Sequence, residues 1–328
     1  MCIGCYSDVC TEMKPLIVIR RVPQIDFMRW HVFGFALSLA LTALTIGSFL
    51  TVGLNYGIDF VGGTLIEARV TTGPADLAAM RAKLDALHLG EASLQQFGNP
   101  NDVLIRLPQQ PGGDAAQAKA VQAAREALGA GVDYRRVEVV GPSVGSELIQ
   151  AGVLATVLAL GAIMVYVWFR FEWQFGVGAM VSTLHDVLTT VGIFAIFQLE
   201  FNLTTLAAIL TIAGYSINDT VVIYDRVRES MRKYRTMPFR DLINLALNET
   251  LSRTILTVST VALAVLSLLI FGGQVLRGFS IAMLWGMLIG TYSSLFIAAP
   301  LLYYVQPNRR AIAKESETTP TRAGRASR

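Results

Sequence analysis

The sequence is poor in charge. Of its 328 residues only 16% are Asp, Glu, Lys or Arg, against 53% hydrophobic, whereas soluble domains carry roughly 25% charged residues. That balance excludes an ordinary soluble domain. With 27 basic against 24 acidic residues, a net charge of +3, there is also no surplus of positive charge to hold nucleic acid. Cysteine is scarcer still, and Cys2, Cys5 and Cys10 all crowd into the first ten residues. Three thiols with no His nearby cannot complete a four-ligand structural zinc site, so no metal or other cofactor is expected. Histidine is equally rare: only His31, His88 and His185 are present. Gly141-Pro142-Ser143-Val144-Gly145 fits the G-x-S-x-G nucleophile pattern, yet His185 falls about half a bilayer from Ser143, so no enzyme is read here. Gly141-Pro142 instead reads as the end of a strand, with Ser143 capping the helix that follows. A cleavable signal pattern is missing too, because the first apolar run begins only at His31 and exceeds the apolar core of about 7–15 residues that a signal peptide carries.

What the sequence has in quantity is long apolar stretches. A membrane-spanning helix needs about 20 mostly apolar residues, and six stretches meet or approach this: 31–53, 150–169, 174–197, 204–224, 254–271 and 279–304. A polar tail over 307–328 reads as disordered. With the N-terminus inside, the inner segments collect Lys14, Arg20, Arg21, Arg29, Arg170, the basic run from Arg226 to Arg240, and Arg253. The short outer loops hold only Arg277. Positive-inside placement therefore puts both termini in the cytoplasm and the long 54–147 connection outside.

That connection has a readable order. Thr64–Val70 alternates like a half-buried strand, and Ala75–Leu87 carries Leu77, Met80, Leu84 and Leu87 at helical spacing. Ser93–Phe97 and Val103–Leu107 read as strands around the turn signal Gly98-Asn99-Pro100. Ala115–Leu128 reads as a helix ending at Gly129, and Tyr134–Val140 as a last strand. β-α-β-β-α-β is the order of a ferredoxin-like sandwich. The fold expected is a polytopic helical membrane protein of six spans, with an α+β domain between the first and second.

Charges inside spans cost a few kcal/mol each and usually face a bundle interior or a water path. The ionisable and amide side chains here are His185 and Asp186 in the third span, Asn218 and Asp219 in the fourth, and Arg253 at the start of the fifth. All but Asn218 lie on polar stripes at helical spacing. The fourth span shows Tyr215, Ser216, Asp219 and Arg226; the third shows Gly178, Ser182, His185 or Asp186, and Thr189 or Thr190. The fifth shows Arg253, Thr257, Thr260, Ala264 and Ser267. Small and hydroxyl residues let membrane helices approach closely, so the three stripes are expected to face one another. At a rise of about 1.5 Å per residue, Asp219 lies roughly 5–8 Å from its span's inner end and His185-Asp186 roughly 15–18 Å deep, so an Asp219–Arg253 contact is feasible. Desolvation favours the neutral form of a carboxylate and a nearby guanidinium favours the charged form. Relative movement of the two would load or release a proton. A static ion pair that fixes packing is the alternative use of the same residues.

Five segments resemble one family. They are Gly57-Ile58-Asp59-Phe60-Val61-Gly62-Gly63; Val140-Gly141-Pro142-Ser143-Val144-Gly145; His185-Asp186; Gly214 through Val222 with Asp225 to Glu229; and Asn248-Glu249-Thr250-Leu251-Ser252-Arg253-Thr254. Together they make the chain similar to the SecF branch of the SecD/SecF protein-export membrane proteins, within the RND superfamily. The resemblance implies a separate SecD chain as partner and association with the SecYEG channel and YajC in the bacterial inner membrane. It also implies use of the proton gradient to complete the movement of preproteins. By position, Asp219 and Arg253 match the charged pair tied to proton coupling, with His185, Asp186 and Asn218 as further relay candidates. Gly62 and Gly63 read as a turn leading into a strand, with Asp59 and Phe60 as a candidate interface or hinge. The competing reading is half of an RND-type proton-coupled exporter of lipid or small molecules.

Overall fold

The computed structural model describes residues 24–273 and 275–306. The cysteine leader, Lys14, Arg20, Arg21 and the polar tail lie outside the described residues. In chain order the elements are α1 (His31–Thr51), β1 (Asn55–Tyr56), α2 (Ile58–Val61), β2 (Gly63–Val70), α3 (Leu77–Asp85), β3 (Ser93–Phe97) and β4 (Asn99–Leu107). There follow α4 (Gly113–Leu128), β5 (Val132–Val140), α5 (Pro142–Arg170), α6 (Trp173–Ile196), β6 (Glu200–Phe201), α7 (Leu203–Lys233), α8 (Phe239–Phe271), α9 (Arg277–Ser293) and α10 (Ala299–Val305). A π-turn over Ser294–Ala298 joins α9 to α10, so these two form one interrupted span. Among the described residues six helices are long and apolar enough to cross a membrane.

The α+β domain is an antiparallel sheet of order β3-β4-β2-β5, with the connectivity of a ferredoxin-like fold. Period-two alternation on β2 and β4 buries Ile66, Ala68, Val103, Ile105 and Leu107 against Met80, Leu84, Ala124 and Leu128 of α3 and α4. The helix ends follow ordinary capping chemistry. Asp76 accepts from the N–H groups of Ala78 and Ala79 at the start of α3, and Gly129, at φ +80°, closes α4. Gln117 and Thr64 join α4 to β2 through a buried hydrogen bond of 2.6 Å.

In the bundle α6, α7 and α9 form the interior. Most of the apolar stretch of α6 and of the last span is buried, whereas α5 and α8 are largely exposed and lie at the periphery. Glycines set the seams by close approach. A Cβ on Gly286 would meet Ile212 Cδ1 at 2.4 Å, one on Gly192 would meet Thr45 Oγ1 at 2.1 Å, and one on Gly178 would meet Tyr224 Oη at 2.2 Å. Around them pack Phe175, Ala179, Ile223, Tyr224, Ala298 and Leu302 in one cluster, and Phe194, Ile209, Ile212, Ala282, Met283 and Met287 in another.

Several expectations change. α7 runs nine residues beyond the predicted 204–224, and α8 begins at Phe239, well before 254. Both extensions are helical but too charged for hydrocarbon; they are held by Arg226 with Glu249 and Glu229 at 2.6 Å each and by Arg170 with Asp225 at 2.8 Å. Arg253 therefore lies within a helix, just before its apolar stretch from 254 to 271. The helix α5 starts at Pro142 with Gly141 as its cap, two residues before the predicted start after Ser143, because proline's fixed φ and missing N–H suit the first helical position. Residues 25–30 are docked on α8. Asn248 pairs with both the N–H and the C=O of Ile25, at 2.9 and 2.8 Å, and Met28 is buried.

Candidate functional site

The polar stripes of α6 and α7 do meet, and the third partner is α9. Asp186, fully buried, sits where the three helices converge. Ser216 of α7 donates to its Oδ2 at 2.5 Å and Ser293 of α9 donates to the same oxygen at 2.7 Å. Ser182, one turn before Asp186 on α6, reaches Ser293 at 2.9 Å. The approach is possible because Gly290 leaves room beside Ser216, whose Cβ would lie 3.2 Å from a Cβ there. On the other oxygen, Nδ1 of His185 lies 3.2 Å from Oδ1, while its Nε2 is buried with no hydrogen-bond partner among the described residues. The His185 ring lies 6.4 Å from that of Tyr292, whose hydroxyl donates to the Gly34 carbonyl at 2.6 Å. Neither Ser293 nor Tyr292 was anticipated from sequence. The signal for Ser293 was the small-residue series Gly286, Gly290 and Ser293 at helical spacing.

Asp219 lies three residues, about one turn, beyond Ser216 on the same face. Its contacts differ from the feasible pairing with Arg253. Thr254 Oγ1 lies 3.4 Å from its Oδ1, and its Oδ2 is buried with no hydrogen-bond partner among the described residues. Arg253 is exposed and makes no ion pair with Asp219. One helical step of about 100° separates Arg253 from Thr254, and that step decides which of the two points inward. The rest of the α8 stripe follows Arg253: Thr260, Ala264 and Ser267 are exposed and Thr257 is half-buried. Their hydroxyls return to carbonyls of their own helix, as in Thr257 to Arg253 at 3.0 Å and Ser267 to Leu263 at 2.9 Å. The expectation that three stripes face one another is thereby corrected: two do, and the third faces outward, as does Asn218. Asp219 thus marks the border between the buried Asp186 cluster and an exposed polar face shared by α7 and α8.

A second cluster joins the α+β domain to the bundle. Residues 55–63 leave α1, pair β1 in parallel with β6, form the single turn α2 and enter the sheet. Gly62 at φ +75° and Gly63 at φ +118° make the turn into β2, and a Cβ on Gly63 would meet the Leu107 carbonyl at 2.5 Å. Phe60 stacks on Phe201 with centroids 5.9 Å apart. The Asp59 carboxylate accepts from the Leu203 N–H at 2.9 Å, at the first turn of α7. Beside it Arg106 of β4 forms an ion pair with Glu200. Burial, partly offset by Arg106, raises the Glu200 carboxyl above the usual carboxylate range. A cleft of about 440 Å³, lined by Leu65, Leu104, Arg106, Glu200, Leu203 and Arg277 among others, separates the open face of the sheet from the helix ends.

These features define a class: a polytopic helical membrane protein whose ferredoxin-like domain stands on the bundle through a glycine-rich junction before β2 and the short β5–α5 connection, with carboxylates buried between the spans. Residues 120–308 match the family model of the protein export membrane protein SecD/SecF, C-terminal region, and residues 47–73 match the SecD/SecF GG motif. The protein translocase subunit SecF of Cereibacter sphaeroides is 44% identical over 303 residues, covering 90% of this chain and 93% of that protein. That of Rickettsia akari is 44% identical over 298 residues, covering 89% and 95%. Among solved structures, SecDF from Thermus thermophilus, a translocon-associated membrane protein, matches with a TM-score of 0.78 and 36% identity. The match covers 87% of this chain and 39% of that one, so the chain spans about two-fifths of the solved SecDF. SecDF in a super-membrane-facing form matches with a TM-score of 0.64 at 35% identity over 90% of this chain and 40% of that one. The chain belongs to the SecD/SecF family of protein-export membrane proteins, in its SecF branch.

Proposed function

We propose that the chain is the SecF-type subunit of a proton-driven accessory to bacterial protein export, working beside a SecD partner at the SecYEG channel with YajC. It would sit in the inner membrane with both termini cytoplasmic and the sheet domain outside, where emerging preproteins could be handled. The single observation that carries the reading is the state of Asp219. It is a carboxylate with one buried oxygen that has no partner among the described residues, at the edge of a face that also presents Arg253 and Asn218 outward. Leaving such a group without a partner is costly, and a second bundle or a water path placed against this face would complete the site. Arg253 then becomes the movable cation, because it is close enough to act on Asp219 without being locked to it. Asp186 and His185 would lie further along the same path.

The test is gradient-dependent preprotein release from membranes whose native copy has been replaced. Asp219→Asn and Arg253→Ala are each expected to co-purify with SecD and to lose the gradient-dependent part of release. Normal gradient-dependent release by both variants would refute the reading.

A further inference from the structure

Leu203 opens α7, and the first N–H groups of a helix have no partner within it. Two of them are served here by different parts of the chain. Asn202 accepts from Thr205 N–H at 3.0 Å, as a local cap does. Leu203 N–H goes instead to Asp59, 144 positions earlier in sequence, at 2.9 Å. The same α7 runs without a break to Lys233 and carries Ser216 and Asp219. From Leu203 to Asp219 is about 24 Å along a stiff rod at about 1.5 Å per residue.

Asp59 is itself held at both ends. Before it, Gly57 N–H donates to the Phe201 carbonyl at 2.8 Å. After it, Gly62 and Gly63 lead straight into β2, the strand flanked by β4 and β5 at the centre of the sheet. A Cβ on Gly145 of α5 would lie 3.2 Å from the Phe60 carbonyl, so the second span abuts the same turn. The Arg106–Glu200 pair ties the sheet to β6, just ahead of α7. A cleft of about 440 Å³ lies beneath the sheet, between it and the ends of the bundle helices.

From this geometry we infer that Asp59 is a positioning residue that couples the two parts of the molecule. Its carboxylate grips the end of the helix that bears Asp219, and its backbone feeds the central strand, so a displacement of α7 is delivered to the sheet domain. This rests on the reading of Asp219 as the proton-coupled group. The GG segment thereby acquires a mechanical role, in which the glycines form the bend and Asp59 is the hook.

The test uses the full chain with its SecD partner in proteoliposomes, with spin labels at exposed Arg81 on α3 and exposed Phe271 at the end of α8. With Asp59 intact, Asp219→Asn is expected to shift the distance distribution between the labels. Asp59→Ala should abolish that shift, and Asp59→Asn should retain it, because the amide oxygen still accepts the Leu203 N–H. Leu203→Pro removes the donor from the other side and should also abolish the shift. Proline is tolerated at a first helical position, and Asn202 already has the extended backbone that a following proline requires, so this variant keeps the test open if Asp59→Ala fails to assemble. An undiminished shift in Asp59→Ala or Leu203→Pro overturns the inference. So does the absence of any shift on Asp219→Asn in a chain that loses gradient-dependent release, an outcome that leaves the proton-coupled reading standing. Normal gradient-dependent release by both Asp219→Asn and Arg253→Ala overturns that reading instead.

Discussion

Replacing Asp186 by Ala removes the acceptor on which three helices converge. Two hydroxyls, Ser216 at 2.5 Å and Ser293 at 2.7 Å, lose a charged partner. Hydrogen bonds to charged groups contribute about 1.5–3 kcal/mol each, so the gross loss is about 3–6 kcal/mol. Two effects reduce it. Ser293 Oγ already lies 3.1 Å from the Gly290 carbonyl and can turn to it, and removing a buried carboxylate also removes its desolvation cost. A net destabilisation of about 2–4 kcal/mol is expected. Asp186→Asn keeps one acceptor oxygen and should cost about 1 kcal/mol. Ser216→Ala and Ser293→Ala should each cost about 1–2 kcal/mol, and each should show a coupling of about 1 kcal/mol with Asp186→Ala in a double-mutant cycle. The assay is equilibrium or thermal unfolding in detergent, followed by tryptophan fluorescence. If Asp186→Ala changes stability by less than about 0.5 kcal/mol, or if the cycle energies vanish, Asp186 is not the bond that sets the packing of α6, α7 and α9.

In the sheet domain the Arg69 guanidinium holds the Asp102 carboxyl down at about 2, against an ordinary value of 3.8. Because the folded pKa is the lower one, the pair's contribution is present above pH 3.8 and is lost as pH falls toward 2. Arg69→Met should lower stability at pH 7 and have little effect at pH 2, read by acid and thermal unfolding. Glu200 has the opposite sign: its carboxyl is raised by burial, so its share of stability should grow as pH falls through the raised value toward the ordinary one. Glu200→Gln should flatten that part of the profile in the same unfolding series. Gly63→Ala should destabilise by about 2 kcal/mol or more, because it meets both a left-handed backbone and the Leu107 carbonyl at 2.5 Å. Gly73→Ala, at φ +134° but in open space, should cost less in the same measurement.

Hydropathy revealed the six spans because hydrocarbon asks for little beyond length and apolarity. It missed the ends of α7 and α8 because a helix that has left the bilayer no longer needs apolar residues; there Arg226, Glu229 and Glu249 sustain it. The alternation of Thr64–Val70 and Val103–Leu107 made the sandwich legible, since one face of each strand is buried and the other open. Helical spacing found the residues of the Asp186 cluster on α6 and α7 but misplaced the α8 stripe. A hydroxyl that returns to its own helix carbonyl, as at Thr257, Thr260 and Ser267, suits an outward face as well as an inward one, so period alone could not orient it. The Asp59 cap on Leu203 was beyond reach for another reason: nothing in local sequence joins positions so far apart. The π-turn at Ser294–Ala298 had a local sign in Pro300, whose missing N–H interrupts the helical ladder. Thr220 and Tyr224 of α7 attend that interruption, at 2.9 Å to Ser294 and 3.1 Å to the Ala298 carbonyl.

The glycine seams also limit how the bundle can work. Ile212 sits over Gly286, Thr45 over Gly192 and Tyr224 over Gly178, each with no room for even a methyl group. Such contacts mesh like gear teeth, and sliding one helix along another would lift every tooth out of its notch at once. The seams of α1 with α6, of α6 with α7 and of α7 with α9 thereby lock these four helices against sliding, and among the described glycines none sets such a seam on the polar outer stripe of α8. The Asp219–Thr254 contact, 3.4 Å across the boundary of α7 and α8, is held by no such seam.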